Sequence, residues 1–342
     1  MQKSRSKTLI IAAGASAAVA LLVFFALIRR PAQSITYRKQ LLGTIIEITV
    51  MRQRSPASDS AAEAAFNEIK RLEAVFSSYI PDSDISRISS NSGKGPVKVS
   101  PETIEVIEKA LYVARISGGA FDPTVGALAK LWGFSGESGR VPEAKDVEAL
   151  KRLVDYRQVV VDKGASTVAL KNKGMTLNLG GVAKGYITGR AVEVLGNKGI
   201  ERALIKAGGD MVVFSGKADK PFVVGIQDPR EGNRLIGETY VSNGAVSTSG
   251  DYERFFVKDK KTYHHILNPA TGFPAEGVRS ATVISKDPTL ADALSTAVFV
   301  MGAEKGMGLL EGLDGVEGVI VDAQGSVHTS KGFRGRVYQE GE

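Results

Sequence analysis

An uncharged, strongly apolar run near the N-terminus constrains this chain more than any other feature. Residues Thr8–Ile28 read TLIIAAGASAAVALLVFFALI and contain no Asp, Glu, Lys or Arg. At the rise of an α-helix such a run spans roughly 30 Å, the thickness of the hydrocarbon core of a bilayer. The run therefore predicts a single N-terminal transmembrane helix at 8–28.

A cleaved signal peptide is the alternative explanation of this run. The apolar region of a signal peptide is usually about 7–15 residues long and ends at a small-x-small cleavage site. Here the run is longer and ends in Ile28-Arg29-Arg30-Pro31, so an uncleaved anchor is favoured. We expect a basic tail at 1–7, an anchor at 8–28, a linker at 29–36 and one large globular domain at 37–340.

The excess of basic residues belongs to the N-terminal segment. The chain has 44 Lys+Arg and 37 Asp+Glu, and residues 1–40 hold seven of the basic residues and none of the acidic ones. The remainder is formally neutral, which argues against a nucleic-acid-binding surface on the globular part. Basic residues beside an apolar run suit an anionic membrane face instead.

The composition also limits the possible metal chemistry. The chain contains no cysteine and three histidines. The absence of cysteine excludes disulfides, thiolate metal sites and a cysteine nucleophile, and so few histidines argue against a multi-histidine metal site. Any bound metal is therefore expected to be a hard cation held by oxygen ligands.

The pattern of apolar residues predicts a mixed α/β domain. Strand-like stretches and amphipathic helices are interspersed without strict βαβ alternation, so we expect mixed sheets flanked by helices and not a doubly wound parallel sheet. The clearest helix starts at Ser100-Pro101, an N-cap followed by a first-turn proline, and stops at Gly118-Gly119.

Two segments could bind a phosphate and its counter-ion. Thr176–Tyr186 leads through glycines into a helix whose exposed N–H groups and Lys184 suit an anion, although an ordinary tight turn explains it equally well. In the segment 290–296, Asp292 and Thr296 lie four residues apart, on one helix face, and offer oxygen ligands for magnesium. The alternative is that Asp292 simply occupies the first turn of the helix.

Three further segments carry polar or catalytic residue types. His264-His265 precedes an Asn-Pro turn, and a histidine there could be a general base or merely structural. The segment 118–126 suits a nucleotide contact, or a helix end followed by an N-cap at Asp122. The segment 247–252 reads as small hydroxyls and a turn, typical of a binding loop.

Taken together, these segments resemble the ApbE family of FAD:protein FMN transferases. The matching motifs run in order from Leu42-Gly-Thr44 to Ala291–Ala297. Between them lie Phe76–Tyr79, Asp84–Arg87, Gly119–Gly126, Leu131–Phe134, Leu177–Tyr186, Ala207–Asp210, Ser247–Tyr252 and His265–Gly272. The resemblance implies an enzyme with one ApbE-like domain that uses Mg²⁺ to cleave FAD, joins FMN through its phosphate to a threonine of a target protein, and releases AMP.

The resemblance also implies the roles of individual residues. His265 would be the catalytic base, and the magnesium ligands would be Gly181 through its backbone oxygen, Asp292, Ser295 and Thr296. The residues that would contact FAD are Leu42, Tyr79, Ala120, Phe121, Asp122, Asn178, Lys184, Ile266 and Leu267. The expected partners are FAD, acceptor flavoproteins with a Ser/Thr-Gly-Ala-Ser/Thr-like motif, and the inner membrane through 8–28. The catalytic domain would face the periplasm or cell exterior.

Three positions depart from the family pattern. Leu42 replaces the usual Met, Asn178 replaces an Asp before the glycine turn, and Asn268 replaces the Asp of the His-Ile-x-Asp-Pro pattern. The two Asn residues leave open a non-catalytic, membrane-anchored flavin-binding protein. The same site with water as acceptor would be an FAD pyrophosphatase, and the sequence separates this alternative poorly from a transferase.

Overall fold

The computed structural model of the protein describes residues 34–134, 140–218 and 220–338. The expected membrane anchor at 8–28 lies outside these residues, and among the residues described no helix is long and apolar enough to cross a bilayer. The strands are β1 Ile35–Leu41, β2 Thr44–Val50, β3 Val97–Lys98, β4 Val159–Asp162, β5 Thr167–Leu170, β6 Ala203–Ala207, β7 Asp210–Phe214, β8 Phe222–Gln227, β9 Leu235–Val241, β10 Gly244–Gly250, β11 Phe255–Lys258, β12 Lys261–His264, β13 Val278–Ser285, β14 Val316–Asp322, β15 Val327–Thr329 and β16 Gly335–Val337. The helices are α1 Pro56–Phe76, α2 Asp84–Ser90, α3 Pro101–Ile116, α4 Gly126–Trp132, α5 Ala144–Lys151, α6 Ala183–Asn197, α7 Pro288–Met301 and α8 Ala303–Glu311.

One large sheet organises the domain. Its eight strands lie in the order β1-β2-β6-β7-β10-β13-β14-β15, and every neighbouring pair is antiparallel. Two three-stranded sheets, β16-β9-β8 and β3-β5-β4, and the two-stranded β11-β12 complete the set. The mixed α/β class is confirmed, and so is the expectation that the sheet is not of the doubly wound parallel type.

Helix α7 is the central helix of the domain. It packs on strands β10 and β13 and also contacts α3 and α6. Ala291, Ala293, Leu294 and Ala297 are fully buried within it. Because three of these four side chains are alanine, neighbouring elements can approach the helix closely.

Helix starts and stops follow the expected side-chain chemistry. Ser100 caps α3 by accepting a hydrogen bond from the N–H of Thr103, and Gly118 and Gly119 leave that helix with φ of 62° and 85°. The prediction of this helix from its cap, proline and terminal glycines is therefore confirmed.

Three local interpretations are wrong. Residues 247–250 do not form a loop, because they lie in β10, in the middle of the large sheet, where burial on both faces removes the alternation that marks a strand. Asp122 does not cap a helix, since α4 begins at Gly126. Asp292 is not in a first turn either: α7 starts at Pro288 and is capped by Asp287, which accepts from the N–H of Leu290.

Candidate active site

A lysine placed between two buried carboxylates forms the centre of the candidate site. Lys184 lies in the first turn of α6, where it was predicted, and its ammonium group donates a hydrogen bond to Asp210 Oδ2. The same nitrogen lies 3.8 Å from Asp292 Oδ1. Asp210 and Asp292 are each only 2% exposed. The three elements α6, β7 and α7 therefore bring their charged groups to one point.

The pKa values of this cluster reflect burial and mutual attraction. Burial works against the charge of Lys184, but the neighbouring Asp210 and Asp292 carboxylates outweigh it and raise the pKa of Lys184. Burial raises the pKa of Asp292, and Asp210 adds to this, while Lys184 opposes it. One ammonium group thus faces two carboxylates, and Asp210 Oδ1 is buried with no hydrogen-bond partner among the described residues.

A glycine allows α6 and α7 to meet at this point. The N–H of Gly185 donates a 2.8 Å hydrogen bond to Asp292 Oδ2. A Cβ atom at Gly185 would overlap the carbonyl oxygen of Pro288 and lie 2.8 Å from Cβ of Asp292. Any side chain larger than hydrogen would push the two helices apart.

Three hydroxyl groups cluster on and beside the turn of α7 that follows Asp292. Ser295 Oγ donates to the backbone oxygen of Asp292 at 2.8 Å, and Ser249 Oγ lies 2.9 Å from Ser295 Oγ and 3.2 Å from Thr296 Oγ1. A Cβ at Gly181 would lie 2.9 Å from Thr296 Oγ1. The four residues predicted from the resemblance to bind magnesium, Gly181, Asp292, Ser295 and Thr296, are therefore adjacent in space.

His265 follows β12 and is half-buried. Its Nδ1 lies 3.3 Å from the backbone oxygen of Arg254. A carbonyl oxygen can only accept, so this contact places the proton on Nδ1 and leaves Nε2 with a free lone pair. Burial, and then the charge of Arg254, lower the pKa of His265 to about 4. The ring is thus neutral at physiological pH and able to accept a proton.

The neighbouring His264 has a structural role. It is 7% exposed, its Nε2 donates to the backbone oxygen of Ala275 at 2.8 Å, and its ring meets Phe299 edge to face. Burial lowers its pKa. Of the two adjacent histidines, His265 is the one whose ring is accessible to a substrate.

Two of the residues predicted to contact FAD are the half-buried Leu42, which packs against the core, and the exposed Tyr79. Leu42 adopts a left-handed backbone, φ 55°, in the two-residue turn between β1 and β2, and its N–H donates to Glu73 Oε1 at 2.8 Å. Such a conformation is strained for a leucine and is typical of functional sites. Tyr79 is 75% exposed, so its ring is available to a ligand.

The segment Ala120–Asp122 lies next to the hydroxyl cluster. Phe121 is 4% exposed, and its ring lies 3.3 Å from a Cβ built on Gly181. The Asp122 carboxylate accepts from the N–H and hydroxyl of Thr124 and from the N–H of Tyr156, at 2.6–2.9 Å. These bonds engage both carboxylate oxygens, so Asp122 shapes the turn that carries Phe121.

The other predicted contacts are held by turns and by the core. Asn178 Oδ1 accepts from the N–H of Gly180 at 2.8 Å. Ile266 and Leu267 are 5% and 7% exposed, and Leu267 packs in the cluster that contains Trp132. Trp132 Nε1 donates to the backbone oxygen of Gly272 at 2.9 Å, which fixes the turn that follows His265.

The sequence motifs included two important residues without giving them a role. Asp210 ends the segment Ala207-Gly-Gly-Asp, and Ser249 belongs to the segment that was read as a loop. The double glycine before Asp210 was the available signal, because Gly209 has no room for a side chain: its Cβ would lie 2.7 Å from the oxygen of Thr248.

A separate cavity of about 500 Å³ opens between α3, Tyr186 and the start of α7. Its charged groups already have partners: Glu105 accepts from Tyr186 at 2.7 Å, Lys109 donates to Asp287 at 2.7 Å, and Glu108 pairs with Lys163 at 2.8 Å. Neither Asp292 nor His265 lines it. The convergence of charged groups, and not this cavity, identifies the candidate site.

A lysine between two buried carboxylates, a cluster of hydroxyls and a neutral histidine define an enzyme active site suited to phosphoryl chemistry. The family model described as the ApbE family matches residues 42–320 of the chain. The protein named FAD:protein FMN transferase of Treponema pallidum is 35% identical over 87% of each chain. A protein of the same name from Klebsiella pneumoniae is 34% identical over 84% of this chain and 88% of its own.

Solved structures give the same result. The ApbE protein of Thermotoga maritima superposes with a TM-score of 0.80 at 38% identity, over 87% of this chain and 97% of its own. The flavin transferase ApbE of Vibrio cholerae gives 0.76 at 26% identity, over 88% and 98%. The chain belongs to the ApbE family and is an enzyme of the transferase class.

Proposed function

We propose that this chain is a magnesium-dependent FAD:protein FMN transferase, which joins FMN to a threonine of a target protein and releases AMP. Its relatives in Treponema pallidum, Klebsiella pneumoniae and Vibrio cholerae bear the name FAD:protein FMN transferase. The observation that carries the proposal is the convergence of Lys184, Asp210 and Asp292 beside Thr296.

The residues at this point fit a magnesium ion. Mg²⁺ prefers oxygen ligands and usually takes one or two carboxylates together with waters and substrate phosphates. Asp292 supplies a carboxylate and Thr296 a hydroxyl, and the backbone of Gly181 lies beside that hydroxyl. Within the described ranges no group of three or more His, Cys, Asp or Glu side chains could hold a metal ion.

The charge of the cluster supports the same conclusion. Asp210 and Asp292 are both buried, and Lys184 neutralises one negative charge. A buried negative charge without compensation is unfavourable, so the cluster favours a cation. Bound there, Mg²⁺ would neutralise negative charge on the pyrophosphate of FAD.

The protein side chains account for the remaining steps of the transfer. Lys184 neutralises further charge on the pyrophosphate oxygens. Nε2 of His265 accepts the proton of the threonine hydroxyl while the threonine oxygen forms a bond to the phosphorus of the FMN group. The bond from that phosphorus to the bridging oxygen breaks, and AMP leaves with the bridging oxygen and its electron pair. Leu42, Tyr79, the segment Ala120–Asp122, Asn178 and Ile266–Leu267 would hold the flavin nucleotide.

The two asparagines that depart from the family pattern keep their turns. Asn178 Oδ1 accepts from the N–H of Gly180, and Asn268 Oδ1 from the N–H of Ala270 at 2.9 Å. Both bonds need an acceptor oxygen, which Asn and Asp share. The substitutions therefore leave these turns intact, which favours an enzyme over a non-catalytic flavin-binding protein.

We also propose where the enzyme acts. The hydropathy of residues 8–28 supports a single-pass anchor in the inner membrane, with the catalytic domain in the periplasm or outside the cell. The proposed acceptors are flavoprotein subunits with a Ser/Thr-Gly-Ala-Ser/Thr-like motif. Confinement to one membrane surface would raise the effective concentration of enzyme and acceptor.

The test is to incubate the full-length chain in detergent with FAD, Mg²⁺ and an acceptor protein containing the motif. Mass spectrometry should detect FMN covalently attached to the acceptor threonine, and chromatography an equal amount of AMP. Asp292→Asn is the control. Release of FMN and AMP without any labelled acceptor would instead support the FAD pyrophosphatase, and tight FAD binding without turnover would support the non-catalytic protein.

A further inference from the structure

The hairpin β11–β12 is separate from the large sheet and flanks the active site. Its strands, Phe255–Lys258 and Lys261–His264, form a two-stranded sheet of their own. The turn residues Asp259 and Lys260 both have positive φ, 50° and 63°, as in the tight turns that join such strands. Arg254 precedes the hairpin and His265 follows it, so the hairpin starts and ends beside the proposed base.

One face of the hairpin is packed against the domain. The rings of Phe256 and Tyr263 stack on each other with centroids 5.4 Å apart. Phe134 lies 5.6 Å from Phe256, and Trp132 lies 5.7 Å from Tyr263. This aromatic cluster holds the hairpin in a fixed orientation. The side chains of Phe255 and Val257, on the same strand, are 51% and 62% exposed.

The outer edge of β11 carries unpaired backbone groups. The N–H of His265 donates to the oxygen of Arg254 at 3.0 Å, so these two residues form a hydrogen-bonded pair. Because such pairs alternate along an antiparallel ladder, Phe256 and Lys258 face β12, whereas Phe255 and Val257 direct their N–H and C=O groups outward. Throughout the described ranges, no hydrogen bond engages those outward groups.

The other edge of the hairpin is already flanked by protein. Past its end, the N–H of Ala275 donates to the oxygen of Ile266 at 2.9 Å. The oxygen of Ala275 accepts from His264, and Lys261 lies 3.5 Å from Glu276. Among the described residues, the edge that these contacts leave open to an incoming chain is therefore that of β11.

Charge at this edge is mostly basic. Arg254, Lys258 and Lys260 have no ion-pair partner in the part of the chain that the structure describes. Asp259 is the acidic residue of the hairpin. A bound segment with acidic residues would thus be attracted to the edge.

We propose that the outer edge of β11 is the docking strand for the acceptor polypeptide, which binds as an added β-strand and carries its threonine to His265. This inference rests on the proposed function and names the partner surface of the same site. Val257 and Arg254 are three residues apart, about 10 Å along a strand. A segment paired with Val257 therefore reaches the base within a few residues. Backbone hydrogen bonds supply the binding energy and exposed side chains the specificity, as in other cases of strand addition.

The first test uses two proline variants of the full-length protein. Val257→Pro removes an outward N–H from the free edge of β11. Thr262 is the residue of β12 opposite Val257, and Thr262→Pro removes the outward N–H from the other, flanked edge of the hairpin. Anisotropy of a fluorescein-labelled peptide containing Ser-Gly-Ala-Thr and two aspartates measures docking. We expect Val257→Pro to weaken peptide binding tenfold or more, whereas Thr262→Pro should bind the peptide within twofold of wild type. Both variants should bind FAD within twofold of wild type.

The second test uses wild-type enzyme and needs no variant to fold. Two peptides are compared, one N-methylated at its odd-numbered residues and the other at its even-numbered residues. One of them should no longer dock, and the other should dock as well as the unmethylated peptide. The docking proposal would be overturned if the two methylated peptides bound equally well. It would also be overturned if Val257→Pro bound the peptide as tightly as wild type, or lost no more affinity than Thr262→Pro. If docking follows the expected pattern but wild type attaches no FMN to the peptide or to a whole acceptor protein, the proposed function fails and the docking strand stands.

Discussion

The backbone N–H of Gly185 donates a 2.8 Å hydrogen bond to Oδ2 of Asp292. This single bond joins the first turn of one helix to the carboxylate of the next and fixes that carboxylate beside Lys184. It exists because α6 has a glycine at the point where α7 approaches it. The position of the proposed metal ligand therefore depends on a glycine that itself has no side chain to take part in the chemistry.

Gly185→Ala should damage both folding and activity. The new methyl group would overlap the backbone oxygen of Pro288, so we expect a loss of at least about 2 kcal/mol in the free energy of unfolding, measured by urea denaturation. Gly308→Ala, in helix α8 with open space around it, is the control and should stabilise the protein by up to about 1 kcal/mol. Equal stability of the two variants would contradict the close approach of α6 and α7.

Asp292→Asn should remove magnesium-dependent activity. The amide keeps the shape of the side chain but loses the charge that would hold the ion, so kcat/KM for FMN transfer should fall about 100-fold or more. The measurement is the transfer rate across a Mg²⁺ titration. Asp287→Asn, on the same helix, keeps an N-cap oxygen and should retain wild-type activity. Full activity of Asp292→Asn would exclude it as a ligand.

Lys184→Met should destabilise the protein more than Lys184→Met combined with Asp210→Asn. Removing the ammonium leaves two buried carboxylates without compensation, which costs about 3–5 kcal/mol for a broken buried pair. Neutralising Asp210 removes one of those charges and should restore part of the stability. The four proteins of the double-mutant cycle are compared by urea denaturation without Mg²⁺. Strict additivity would show that Lys184 and Asp210 do not interact.

The pH profile should show a histidine that stays neutral well below its ordinary pKa of 6.5. The lowered pKa of about 4 means that His265 gains its proton only as pH falls through that value. At saturating Mg²⁺, which would hold Asp292 in its ionised form, the kcat/KM for transfer should thus be flat from about pH 5.5 to 8, and His265→Ala should lower it by about 10²- to 10⁴-fold. His328→Gln, which loses the contact with Asp322, is the matched control and should change neither the shape of the pH profile nor the value of kcat/KM. An acid limb near pH 6.5 in wild type would contradict the environment assigned to His265.

The sequence predicted best those elements whose periodicity or caps are visible locally. Helix α3 was located from Ser100, Pro101 and two glycines, and α7 from its apolar run. The strands β10 and β14 were missed, because each is buried on both faces and has no alternation of polar and apolar residues.

The same limit applies to the site. Asp292 and Thr296 are one helical turn apart, so their proximity follows from local geometry. Lys184 and Asp210 lie 26 positions apart, and their contact depends on how α6 packs against the sheet. Local sequence patterns do not predict such packing. For this reason the sequence placed Asp210 in a family motif but assigned it no role.

The way the chain enters and leaves the hairpin has one further consequence. The backbones of Arg254 and His265 are hydrogen-bonded to each other, so the segment between them leaves the domain and returns to it at the same place. Outside Phe256, Tyr263 and His264, which pack on the domain, its sequence can change without redirecting the scaffold on either side. Selection can therefore alter the choice of target protein separately from the chemistry, and a hairpin taken from another family member is a unit small enough to transplant.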